Sequence, residues 1–152
     1  SIALKPMGGA EKTVELQEFG LITDSPDDDI RYFAGDIIYR SKINIGRMNK
    51  KYRYYIELGD VYEMAEVCVN GKVVGGIWTN PSRLDITDYL ASGDNDVEIT
   101  VATNWHNRII GDLRNQSQEP QAKYTYRTLS TDEDLQLAGL LREPVLIKQK
   151  SR

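Results

Sequence analysis

Apolar side chains recur at every second position in six separate stretches of this 152-residue chain. In "TVELQEF", Val14 and Leu16 share a face. In "DIIYRSKINI", Ile37, Tyr39, Ile43 and Ile45 do, with Arg40, Lys42 and Asn44 opposite. "KYRYYIEL" sets Tyr52, Tyr54, Ile56 and Leu58 against Arg53, Tyr55 and Glu57. "AEVCV" offers Ala65, Val67 and Val69, "DVEITVAT" offers Val97, Ile99 and Val101, and "PVLIKQ" offers Val145 and Ile147. Successive side chains of a strand point to opposite faces, so this alternation predicts strands with one buried and one solvated face. Such strands at short intervals, separated by turn residues, predict a sandwich or barrel. No stretch carries the repeat of a long amphipathic helix.

The turns agree. Asn70-Gly71 predicts a type I′ hairpin, because both central residues of that turn need positive φ. It would set Val67 across from Val74. "DITDYLASGDN" predicts one helical turn, with Thr87 as N-cap and Gly93 in the left-handed position after it. Residues 20–30 read as an acidic loop. Residues 114–136 read as a long polar excursion with a short strand at Tyr124 to Arg127. Residues 1–12 read as a loose leader, and 13–150 as a single all-β domain, an antiparallel sandwich.

A chain of this length with 40% hydrophobic residues can bury one core. Its net charge of −4 does not supply the basic surface that nucleic acid binding needs. The basic cluster from Arg47 to Arg53 is read as solvating a turn. One cysteine, Cys68, cannot form an internal disulfide, and it makes no zinc site with the single histidine, His106. No stretch approaches the roughly 20 apolar residues of a membrane span. The chain opens on Ser1 and is read as a processed or trimmed piece.

The ordered series "AEVCVNGKVVGGIWTNPSRLDITDYLASGDNDVEITV" resembles the sugar-binding, galactose-binding-like jelly-roll of glycoside hydrolase family 2. With "IRYFAGDIIYRSKI" upstream and "TNWHNRIIGD" and "GLLREPVLI" downstream, it is most similar to the C-terminal jelly-roll of family 106 α-L-rhamnosidase-type enzymes. The resemblance spans residues 13–149. The chain departs from the usual pattern at His106, often proline there, and at Cys68, commonly polar or basic. The resemblance implies an accessory domain of a larger, secreted or periplasmic bacterial glycoside hydrolase, packed on the catalytic domain of the same polypeptide. A purely structural or protein-interaction sandwich is the alternative.

Glycoside hydrolysis usually needs two carboxylates across a bound sugar. Of Asp60, Glu63, Glu66, Asp85, Asp88 and Asp112, most fall in turns or on outward strand positions, as an acidic surface would place them. No G-x-S-x-G elbow accompanies His106, and Gly75-Gly76 opens no phosphate-binding helix. This chain alone is therefore expected to be non-catalytic and to need no cofactor. Asp27-Asp28-Asp29 offers oxygens for a structural calcium, but it lacks spaced ligands and is read first as a solvated loop.

Sugars are held by aromatic faces and planar hydrogen-bonding groups. Trp78, Asn80 and Arg83 form one candidate set, with core-edge cover as the simpler role for Trp78. Trp105, Asn107 and Arg108 form a second, although an Arg108–Asp112 pair that merely fixes the loop is the simpler role there. The resemblance implies a third group, Asp60, Tyr62 and Glu63, at a domain boundary or active-site rim. Cys68 alternates against Val67 and Val69, and is read as packed rather than reactive. Tyr55 lies opposite Tyr52 and Tyr54, so its exposure is the informative one.

Overall fold

The computed structural model describes residues 1–7, 10–14, 20–115, 119–122 and 129–151. Strand β3 (Gly35–Asn44) carries the "DIIYRSKIN" alternation and sits inside a six-stranded antiparallel sheet. Its order is β2-β1-β3-β9-β6-β7, with β1 at Ile2–Pro6, β2 at Lys12–Val14, β6 at Met64–Val69, β7 at Lys72–Ile77 and β9 at Asp94–Ala102. A three-stranded sheet opposes it, ordered β11-β4-β8, from Val145–Lys150, Tyr52–Glu57 and Arg83–Asp85. Short strands β5 (Val61–Tyr62) and β10 (Gly139–Leu140) pair separately. Ile37, Tyr39, Val67, Val69, Ile99 and Val101 from the large sheet meet Tyr54 and Ile56 from the small one in one buried cluster. The protein is an antiparallel β-sandwich of the jelly-roll class, as the alternation predicted.

The register gives the sandwich two distinct ends. Val69 pairs with Val97 and Met64 with Ala102, while Asn44 pairs with Asp94 and Asp36 with Ala102. The Asn70-Gly71 turn and the 86–96 connection therefore share one end. The segments 57–64, 77–83, 102–107 and 134–145 gather at the other.

At the first end, Asn70 and Gly71 take φ of 51° and 75°, as a type I′ turn requires. The pairing then shifts. Cys68 faces Val73 but Val67 faces Gly75, so Val74 is the extra residue of a β-bulge rather than the partner of Val67. Residues Thr87–Tyr89 form the predicted helical turn, as a 3₁₀ turn, and Gly93 has φ of 87°. Its N-cap is not Thr87 but Ile86, which makes no side-chain cap; one residue earlier, the Asp85 carboxylate accepts the Thr87 N–H at 3.0 Å. Asn95, 1% exposed, joins the two turns. Its Oδ1 accepts from Asn70 Nδ2 (2.8 Å) and the Ala91 N–H (2.7 Å), and its Nδ2 donates to the Ala91 and Gly93 carbonyls.

Several expectations are corrected. Residues 2–6, read as part of a loose leader, are strand β1, paired to β3 on one side and β2 on the other, with Ala3 and Leu4 buried. Five residues are too few to display a period, yet pairing on both sides orders them. Val145 and Ile147 are not the inward set of β11. They pair with Glu57 and Tyr55 on the outer face, and Val145 is 54% exposed. An edge strand half off the core has little burial on either face, so its pattern does not report direction. A helix missed from the sequence, α2, runs from His106 to Arg114 and buries Ile110 and Leu113. Within 20–30 lie a 3₁₀ turn (Ile22–Asp24) and α1 (Asp28–Arg31), capped by Asp27, whose Oδ1 accepts the Asp29 N–H at 2.9 Å. Leu16 and the strand expected at Tyr124 to Arg127 lie outside the described residues.

Candidate functional site

The loop end gathers most of the residues singled out from the sequence. Trp78 follows β7 and is 70% exposed. A Cβ on Gly76 would lie 3.3 Å from the indole, so the ring rests across that glycine. The glycine thus leaves room for the indole beside the strand while most of the ring stays in solvent. Asn80, exposed, precedes Pro81 through a cis peptide bond. The loop is tied to the β4–β5 connection by the Leu58 N–H donating to the Ser82 carbonyl at 2.9 Å and the Ser82 hydroxyl donating to the Gly59 carbonyl.

Arg83 is engaged elsewhere. Its guanidinium stacks 3.9 Å from the Tyr55 ring centroid and donates to Gln149 Oε1 at 2.9 Å, linking β8 to β11 across β4. This stacking explains why Tyr55, outward-facing, is only half-exposed. Arg53 and Asp85 pair beside it at 2.6 Å.

Trp105, 39% exposed, stands where β9 leads into α2. Asn104 Oδ1 accepts the His106 N–H at 2.8 Å, an Asx-type turn just ahead of the helix, whose N-cap is Trp105. Asn104 Nδ2 donates to Glu63 Oε1 (2.6 Å) and to Gln136 Oε1 (2.7 Å). Glu63 reaches this position with φ of 75°, a left-handed backbone rare for glutamate. The His106 ring bonds the Asp134 carbonyl at 3.1 Å.

Asn107 and Arg108 do not form a shelf beside Trp105. Asn107 is 4% exposed and exchanges two hydrogen bonds with the Gln136 backbone (2.7 and 2.8 Å). Arg108 is 9% exposed, pairs with Asp112 at 3.1 Å, and lies 5.8 Å from the Tyr32 ring. Asp112 also accepts the Ala122 N–H at 2.8 Å. Helix formation turned these groups inward, where they hold α2 and residues 122 and 136 in place. Asp60 approaches Arg142 only to 4.0 Å, with both exposed. Tyr62 is half-buried and pairs with Gly139. Gly139 has φ of 98°, and a Cβ there would lie 2.6 Å from the Tyr39 hydroxyl, which accepts the Leu140 N–H. Asn104 and Gln136 went unread in the sequence. Asn104, an Asn shortly before a helix, carried the one signal that could have found it.

Among the described residues two carboxyls depart from ordinary values, and both lie low. The Arg40 guanidinium holds Glu11 down. Burial would raise Asp85, but hydrogen bonds from Arg53 and Thr87 outweigh it. A general acid for glycoside hydrolysis needs the opposite shift. Burial, with Glu66 and Glu98 nearby, pushes the Cys68 thiol up, which disfavours the nucleophilic thiolate. Among the described residues no three His, Cys, Asp or Glu form a group able to hold a metal ion. No described helix is long and apolar enough to cross a membrane.

The sandwich is that of a glycoside hydrolase-related domain, a class that comparison with known proteins supports. The chain superimposes on a rhamnosidase from Novosphingobium sp. PP1Y with a TM-score of 0.81 and 32% identity, over 97% of its own length and 14% of that chain. Over 88 residues it is 36% identical to a candidate β-glucuronidase of Formosa agariphila, matching 57% of this chain and 8% of that protein. An FMN-binding β-glucuronidase from Faecalibacterium prausnitzii L2-6 shares the fold at a TM-score of 0.57 and 22% identity, over 97% of this chain and 21% of that one. No family model matches the sequence. The chain thus spans a small part of the length of these relatives.

Proposed function

We propose that this chain is a non-catalytic accessory domain of a larger bacterial glycoside hydrolase. It packs on the catalytic domain of the same polypeptide and contacts carbohydrate through Trp78 and Asn80. The parent enzyme works outside the cytoplasm, secreted or periplasmic. The observation that carries the sugar contact is the Trp78 indole, 70% exposed and packed against Gly76 at one edge. A fixed aromatic face of this kind suits the C–H face of a pyranose, and Asn80 beside it offers a planar amide for hydroxyl groups. Arg83, Asn107 and Arg108 serve the scaffold, Arg83 through Gln149 and the Tyr55 ring, Asn107 through the Gln136 backbone and Arg108 through Asp112.

The names of the relatives choose the first probes, rhamnose and glucuronic acid with their oligosaccharides. Titration followed by calorimetry or amide chemical shifts should show binding. Trp78→Ala should weaken it by about tenfold, the loss of one stacking contact worth about 1–1.5 kcal/mol. Equal affinity in the variant, or no binding by any of these sugars, would leave the purely structural sandwich as the better reading.

A further inference from the structure

Asn104 brings three distant segments together by donating to Glu63 and to Gln136. The residue that follows each of the three is large, apolar and exposed: Met64 at 50%, Trp105 at 39% and Leu137 at 43%. Side-chain bonds at Asn104 thus bring three exposed apolar residues to one end of the sandwich, and monomeric surfaces rarely keep gathered apolar surface uncovered. The Asn104 amide already donates twice through Nδ2 and accepts the His106 N–H at Oδ1, so covering it would strand none of its own polar atoms. Exposed Asp60, Asp132, Glu133 and Asp134 flank the same loops and give the patch an acidic rim.

We infer that the Met64–Trp105–Leu137 surface is a domain interface, covered by the catalytic domain of the same polypeptide. The covering surface would have an apolar socket and a rim of lysine or arginine. The inference rests on the accessory-domain reading above and names the face by which the domain docks. A second copy of this chain fits less well, because a two-fold contact through this patch would set the acidic rim against itself. The Novosphingobium rhamnosidase, in which the match takes up 14% of a single chain, has ample further polypeptide to provide such cover.

Hydroxyl-radical footprinting tests the assignment, since Met and Trp side chains oxidise readily. The chain alone is compared with the longer polypeptide that carries it. Met64 and Trp105 should oxidise about tenfold more slowly in the longer polypeptide, as expected for residues at the core of an interface. Rates within about twofold of each other in the two proteins would overturn the inference. So would protection that appears in the chain alone, either as its concentration rises or when rhamnose or glucuronic acid is added. Trp78 reports separately. If it ignores both sugars while Met64 and Trp105 are protected, the sugar reading fails and the interface stands.

Discussion

Replacing Asn95 tests whether hydrogen bonding or packing closes the hairpin end of the sandwich. Its side chain makes four hydrogen bonds between 2.7 and 3.0 Å while only 1% exposed. Asn95→Ala leaves the Asn70 amide, the Ala91 N–H and the Ala91 and Gly93 carbonyls without these partners. An orphaned buried group costs about 1–3 kcal/mol. Ala91 and Asn70 are themselves exposed, so water can replace some of the lost bonds. The net loss should therefore be about 3 kcal/mol rather than the sum of four full penalties. For a domain of this size that lowers Tm by roughly 10 °C. Urea unfolding followed by circular dichroism measures it directly. Asn95→Leu keeps most of the volume and removes only the polarity, and should be at least as destabilised. The reasoning fails if the alanine variant loses less than about 0.5 kcal/mol, the scale of an unremarkable surface change. It fails equally if the leucine variant matches the parent protein while the alanine variant does not, because the site would then be held by packing.

Other perturbations address the remaining elements. Arg108→Ala leaves the Asp112 carboxylate buried without its cation and should cost about 3 kcal/mol in urea unfolding, with sugar affinity unchanged. Gly111→Ala would place a Cβ 2.5 Å from Tyr32 Cγ. Overpacking of about 1–3 kcal/mol should exceed the gain of about 1 kcal/mol in helix preference, so melting should move down. The Asp85 carboxyl sits below its ordinary 3.8 in the folded state. Its contribution is therefore present above that value and is lost as pH falls from there through the depressed folded value. Asp85→Asn should flatten the acid limb of the stability–pH curve, and an unchanged limb would show that other groups govern it.

The two-layer sandwich was legible because one face of each central strand is buried. Ile37, Tyr39, Val67, Ile99 and Val101 alternate for that reason, and all lie in the core. Legibility failed where burial and periodicity part company. β11 is an edge strand with little core to face, and β1 is too short to show a period. In α2 only Ile110 and Leu113 mark the apolar side, and the helix buries Asn107 and Arg108 along with them. The residue types of that segment suggested a ligand, whereas its backbone decided which way they face. The three-way contact at Asn104 joins residues 41 and 32 positions away, and local pattern holds no information at that range. Trp78 was readable as a candidate, but its standing in solvent depends on Gly76 beneath it.

The Asn70–Asn95 clasp has a consequence for how such a domain can diversify. It secures β6, β7 and β9 far from the segments that carry Trp78, Glu63 and Trp105. Insertions or altered sequence in those segments need not loosen the strands that bear them. One rigid frame thus leaves the opposite tip free to be rewritten.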